Sequence, residues 1–179
     1  MSRFPLVEES DASPETAEVM ADFRQTMGFP AAPNFVKTLA AGLPVIKGTW
    51  GVMQNVLVEG ILPRTLKEMV FLAISEDRDC RYCQAAHAAC CRMLGVDESE
   101  IRAFVSDLNN VKPKRRQDII RFAVKCARAP QQLTDAEFEQ LRDHQLCDAE
   151  ILELIATSAL AVYVDTIVDA TQVEVDPMF

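Results

Sequence analysis

The 179-residue chain carries 27 acidic against 18 basic side chains, a formal net charge of −9 and a pI near 4.7. That balance argues against nucleic acid as a partner, because neutralising phosphates needs clustered Lys and Arg. The one basic run, Lys112 to Arg116, reads as the polar start of a helix.

Residues 1–11 hold Arg3 followed by acids, with no apolar stretch of signal-peptide length. The longest apolar run, Leu154 to Val164, is 11 residues, short of the roughly 18 needed to span a bilayer. The expectation is a cytoplasmic protein with no membrane partner. Six cysteines in a reducing compartment then read as core thiols, metal ligands or redox catalysts rather than a disulfide framework.

Helical punctuation runs along the chain, and no convincing strand alternation appears. Ser13-Pro14-Glu15 opens the first helix, and Gly28 with Pro30 closes it. Asn34 opens a second helical stretch that breaks near Leu43 and ends at Gly60. Pro63 starts a third helix, to about Asp77, which is apolar nearly all round from Met69 to Ile74 and so belongs in the centre of the fold. A fourth runs from Cys80 to Leu94, closed by Gly95. Asp97 and Glu100 have capping-box spacing before a helix to about Leu108. Pro113 to Ala129 reads as another helix. Thr134 and Glu137 repeat the capping-box spacing, and Asp148 caps a long final helix to about Thr171. The fold class is therefore all-α, a multi-helix bundle. It divides into an N-terminal helical part (about 13–60), a central part (about 63–129) and C-terminal helices (about 134–171).

At 100° per residue, Cys80, Cys83, His87, Cys90, Cys91 and Leu94 share an arc of roughly 100° on the fourth helix. Two cysteines three apart at a helix N-terminus can bridge across one turn, and the free amides there favour a thiolate. His87 is the helix neighbour of Cys83 but lies about 10 Å along the axis from Cys80, so a histidine base is assigned to Cys83. Cys80, at the helix tip, should be the more accessible thiol. Glu68 projects from an apolar stripe beside Phe71 and Leu72. It either snorkels to water or needs a partner, and the cysteine helix offers one. Cys90, Cys91 and Cys126 read as small core hydrophobes, and Tyr82 and Trp50 as packing residues.

The segment Leu66-Lys67-Glu68, Ile74-Ser75 and Cys80-Arg81-Tyr82-Cys83-Gln84-Ala85-Ala86-His87 resembles the core of the AhpD-like alkylhydroperoxidases of the carboxymuconolactone decarboxylase superfamily. Pro33-Asn34 and the long last helix, which ends before Pro177, fit the same pattern. The resemblance implies a single AhpD-like helical domain over residues 1–179. It also implies a homo-oligomer (a dimer or a trimer of dimers) that reduces a hydroperoxide without cofactor or metal. Glu68 and His87 would form a proton relay, Cys83 would be the peroxidatic thiol, and Cys80 would resolve it. A lipoyl or thioredoxin-like dithiol would regenerate the pair. Tyr82 stands where founding members carry a second histidine, leaving it a possible auxiliary. Asp165-Thr166 stands where many relatives carry Asn-Arg. Competing readings are a decarboxylase-like lyase, a zinc site in which Cys80 and Cys83 join His144 and Cys147, and a redox sensor without turnover.

Overall fold

The computed structural model describes residues 2–179 and is all-α, with no strand among them. The helices are α1 (Pro14–Met27), α2 (Asn34–Leu39), α3 (Leu43–Val52), α4 (Arg64–Asp77), α5 (Arg81–Met93), α6 (Glu98–Ser106), α7 (Lys114–Arg128), α8 (Asp135–Asp143) and α9 (Asp148–Thr171). The expected break in the second stretch is Ala40–Gly42, between α2 and α3. Beyond it, α3 runs on as a π-helical turn, Met53–Val58.

α4 is the axis. Every residue from Leu66 to Ser75 is buried, and the helix packs most extensively on α5, then on α9 and α7. Apolar side chains on all sides allow this, since each neighbouring helix needs a hydrophobic stripe to cover. One hydrophobic core runs continuously from Met20 through Phe71 to Val168.

Two buried charges interrupt that core next to each other. Lys67 donates to Glu153 of α9 at 2.7 Å and to the Glu59 carbonyl. Glu153 also accepts from the backbone amides of Ile61 (2.6 Å) and Leu62 (3.2 Å). Gly60, at φ 89°, lies so close that a Cβ there would collide with the Glu153 carboxylate. Positive φ and the close approach both require glycine.

Helix ends follow the sequence with two exceptions. Ser13 caps α1, Thr134 and Glu137 form the expected box, and Gly28 and Gly95 take positive φ where α1 and α5 end. Asp97 does cap α6, through the Ser99 amide, but Glu100 forms no box because it pairs with Arg116 of α7. Cys147 rather than Asp148 is the cap residue of α9, with its backbone N–H held by Glu150 at 2.8 Å. By length and composition α9 could cross a membrane, yet half of its apolar stretch is buried. Its inward face carries the polar Thr157, Ser158 and Asp165. These mark it as the core helix of this bundle.

Candidate active site

The turn between α4 and α5 sets the site. Asp79 takes φ 57°, a left-handed conformation that aspartate tolerates better than most residues. It reverses the chain so that the Cys80 amide donates back to the Ser75 carbonyl at 3.0 Å. Cys80 is thereby tucked under the helix start as its cap residue, and Cys83 follows within the first turn.

Both sulfurs are enclosed, Cys80 0% and Cys83 1% exposed. The expectation of an accessible Cys80 is therefore overturned. The reason is that α9 covers this end of α5 and presents Asp165 to the pair. The two sulfurs and an Asp165 carboxylate oxygen lie within 4.8 Å of one another. The expected thiolate-favouring effect of the helix N-terminus is also outweighed. Hydrogen bonding with Cys80, burial and the neighbouring Asp165 charge push the Cys83 thiol well above its ordinary range.

Glu68 does not snorkel. It is 0% exposed, and its Oε2 lies 2.7 Å from Nδ1 of His87, which is itself 5% exposed. Arg64 contributes a hydrogen bond to Oε1 at 3.3 Å. The Phe71 ring lies 4.3 Å from the imidazole, tilted by 31°, and fixes its plane. With Nδ1 donating to the carboxylate, Nε2 is the basic nitrogen. His87 and Cys83 together line a cavity of about 30 Å³, room for one or two small molecules such as water. Apart from Tyr82 and Cys90 its remaining wall is apolar, including Phe23, Met27, Phe35, Met53 and Phe179.

Tyr82 serves the framework rather than the thiols. Its hydroxyl donates to Asp176 at 2.8 Å and accepts from the Phe35 amide at 3.1 Å. Asp176 in turn accepts from the Asn34 amide at 3.0 Å. The segment after α9 is thus tied to α2 and to the first turn of α5. Phe179 packs edge-on against Tyr82 and Phe29. Burial beside Asp176 pushes the Tyr82 phenol well up.

The carboxymuconolactone decarboxylase family model matches residues 45–107, which span the Glu68, Cys80, Cys83 and His87 positions. The fold is similar over nearly the whole chain to a peroxidase-related protein of Ralstonia eutropha JMP134, described as an alkylhydroperoxidase AhpD core. That match has a TM-score of 0.89 at 22% identity, covering 98% of this chain and 93% of that one. The chain therefore has the AhpD-like fold, and its central third matches the carboxymuconolactone decarboxylase family model. A peroxidase-related protein of Silicibacter sp. TM1040 gives 0.85 at 22% identity over 98% and 92% of the two chains. A cysteine-to-alanine variant of the debrominase Bmp8, in complex with 2,3,4-tribromopyrrole, gives 0.82 at 17% identity over 99% and 95%. The chain matches no curated protein closely enough to assign a relative.

Within this AhpD-like fold the zinc quartet considered from the sequence is not assembled. His144 pairs instead with Asp118 at 3.0 Å, and Cys147 is exposed at the start of α9. The donors that do gather are a different set, Cys80, Cys83 and Asp165.

Sequence reasoning named Asp165 only as a departure from the family pattern and did not place it at the thiols. Its Oδ1 accepts from Ser75 of α4 at 3.0 Å, while buried Oδ2 has no hydrogen-bond donor. Arg78 lies 3.2 Å from Oδ2 as an ion pair, outside hydrogen-bonding alignment. Burial lifts the Asp165 carboxyl above its ordinary range, against the opposing pull of Cys83, Ser75, His87 and Arg78. The available signal was a carboxylate, Asp165, within the apolar run of α9, and a polar Ser75 at the end of the apolar run of α4.

Proposed function

We propose that the chain is a thiol-dependent peroxidase that reduces a hydroperoxide through Cys83 and Cys80. The observation that carries the proposal is the buried Glu68–His87 pair, 2.7 Å apart and opening onto the cavity that Cys83 lines. A thiol raised by burial is a poor nucleophile until a base removes its proton, and this arrangement supplies one. His87 Nε2 takes the Cys83 proton as sulfur attacks the peroxide. The O–O bond breaks, Cys83 becomes a sulfenic acid, and the departing alkoxide is protonated to an alcohol. Cys80 then condenses with the sulfenic acid to a disulfide, releasing water. An external dithiol, a lipoyl group or a thioredoxin-like protein, exchanges with the disulfide and restores both thiols. Because Cys80 is enclosed, the dithiol reaches it after local opening rather than at an exposed helix tip.

Both family names, alkylhydroperoxidase and carboxymuconolactone decarboxylase, are names of enzymes. Within the superfamily the Cys80/Cys83 pair favours the redox member, since a lyase gives two enclosed thiols no work. The small cavity favours hydrogen peroxide or a short alkyl hydroperoxide. A second copy of the chain completes the proposal, supported by exposed Val45, Val52, Ile61 and Leu152. Light scattering at micromolar concentration should give a multiple of the 19.9 kDa chain mass.

The deciding experiment is peptide mapping before and after one equivalent of peroxide, followed by turnover with several dithiols. A Cys80–Cys83 disulfide should form while Cys90, Cys91 and Cys126 stay reduced. Cys80→Ser should consume one peroxide and stop at sulfenic acid. Oxidation spread over all six cysteines, or no reaction at Cys83, would refute the proposal.

A further inference from the structure

The first step has a proton acceptor in His87, but the second step needs one too. Cys80 must lose a proton to attack, and the hydroxide leaving Cys83 must gain one. His87 is seven residues from Cys80 along α5, about two helical turns, and belongs to the Cys83 side of the site.

We propose that Asp165 is the proton carrier of disulfide closure, taking the proton from Cys80 and delivering it to the hydroxide that leaves Cys83. The placement carries this inference. Asp165 reaches the pair from a different helix, and its carboxylate and both sulfurs lie within 4.8 Å of one another. Ser75 holds Oδ1 at 3.0 Å, leaving Oδ2 buried with no donor upon it. Buried carboxylate oxygens are ordinarily hydrogen-bonded, so an unfilled lone pair beside two thiols calls for a reason. The other groups facing Asp165 are Arg78, at the end of α4, and His87 of α5. Arg78 pairs with Oδ2 as an ion at 3.2 Å, but neither group is aligned to donate a hydrogen bond to it.

The step balances without an outside reagent. Cys80–SH and Cys83–SOH give the disulfide and one water. The Cys80 sulfur supplies the electron pair of the new S–S bond, the Cys83 S–O bond breaks, and the proton crosses from Cys80 through Asp165 to the departing hydroxide. Asp165 ends as it began, a carboxylate. An asparagine in its place could orient a thiol but could not take its proton.

The same charge acts oppositely on the two steps. Beside Cys83 it resists thiolate formation, so it hinders the first step while serving the second. This gives a readout that a merely structural residue would not produce. In Asp165→Asn, alkylation of reduced Cys83 by a small haloacetamide should become several-fold faster. Closure of the disulfide should become slower by about 10²-fold, the lower end of general acid–base effects.

Because the sulfenic acid belongs to the peroxidase proposal, closure is measured in two ways. One follows dimedone-trappable sulfenic acid after a peroxide pulse. The other places a methyl disulfide on Cys83 with methyl methanethiosulfonate and follows loss of methanethiol by mass spectrometry, with no peroxide present. No sulfenic acid with any peroxide would refute the peroxidase function, and the methyl-disulfide arm would still judge Asp165. Closure at the wild-type rate in that arm, or both steps slowed alike, overturns the assignment. Ser75→Ala, which frees Oδ1 without touching the charge, should slow closure by a smaller factor. It decides the matter if the Asn variant fails to fold, with unchanged closure counting against Asp165.

Discussion

Lys67 and Glu68 are consecutive residues of α4, both fully buried and both charged, yet their surroundings differ in one respect. Around Lys67 the interactions close on themselves. The ammonium meets Glu153 and the Glu59 carbonyl, and Glu153 also receives two backbone amides. Around Glu68 they lead outward, through His87 to a nitrogen on the wall of the Cys83 cavity. Burying charge is expensive in either place. Where the pairing is complete, the result is a brace between α4, α9 and the turn before α4. Where the pairing leads to a residue on a cavity wall, the result is the proposed site. In the proposed mechanism an unspent donor or acceptor, more than burial or charge, separates machinery from scaffold, and Asp165 Oδ2 would stand on the same side as His87.

Breaking the brace should have the largest effect. Lys67→Ala leaves Glu153 buried beside two amides and without its cation, at a cost of about 3–5 kcal/mol in urea or thermal unfolding. Cys83 reactivity per folded molecule should remain as in the wild type. Glu68→Gln should do the reverse. The amide keeps the shape, so stability changes less, but Cys83 should react with peroxide roughly 10²-fold more slowly, about 2.7 kcal/mol of barrier. His87→Ala should cost a similar factor, and the double variant little more, because the pair acts as one unit. Additive losses in stopped-flow kinetics would make Glu68 a second brace.

A smaller effect concerns Asp165 and pH. Its folded-state carboxyl is raised by burial, so the group favours folding fully below the unfolded carboxyl range and loses that contribution as pH rises through the folded value. Asp165→Asn should therefore be the more stable protein at neutral pH. The difference should shrink as the solution is acidified toward the unfolded carboxyl range, followed by urea midpoints across that interval. The mildest test uses thiol labelling. Cys147 is exposed and should react first with a bulky maleimide. Cys91, pushed up to about 12 by burial and Glu68, and Cys90, raised further by the same causes, should stay unlabelled in the native state.

The elements that depend on local spacing were legible in the sequence. The four-residue separation of Cys83 and His87 places them on one helix face. The apolar run after Glu68 makes α4 central, which forces that carboxylate to find a partner. Fold class followed from the same periodicity and from helix punctuation. What was not legible depends on contacts across the chain. Asp165 lies 90 residues from Ser75 in sequence, and no spacing rule links them. The burial of Cys80 follows from how α9 crosses the α4–α5 turn, and that crossing also reversed the expected electrostatics of Cys83. Glu100 had the right spacing for a cap, but Arg116, brought near by the packing of α7, competed for it successfully.

Tyr82 stands between the two cysteines in sequence and is held at its hydroxyl by Asp176 and the Phe35 amide. The first turn of α5 is therefore a fixed frame in which one sulfur always meets the other at the same short range. Closure in such a frame is unimolecular, and effective concentrations in well-oriented pairs reach about 10⁵ M or more. Its rate is independent of how dilute the protein is, whereas any bridge through the exposed Cys147 requires two molecules to collide. On the proposed mechanism, the enclosed pair would capture the oxidising equivalent at low protein concentration, and only crowding would give the surface thiol a share.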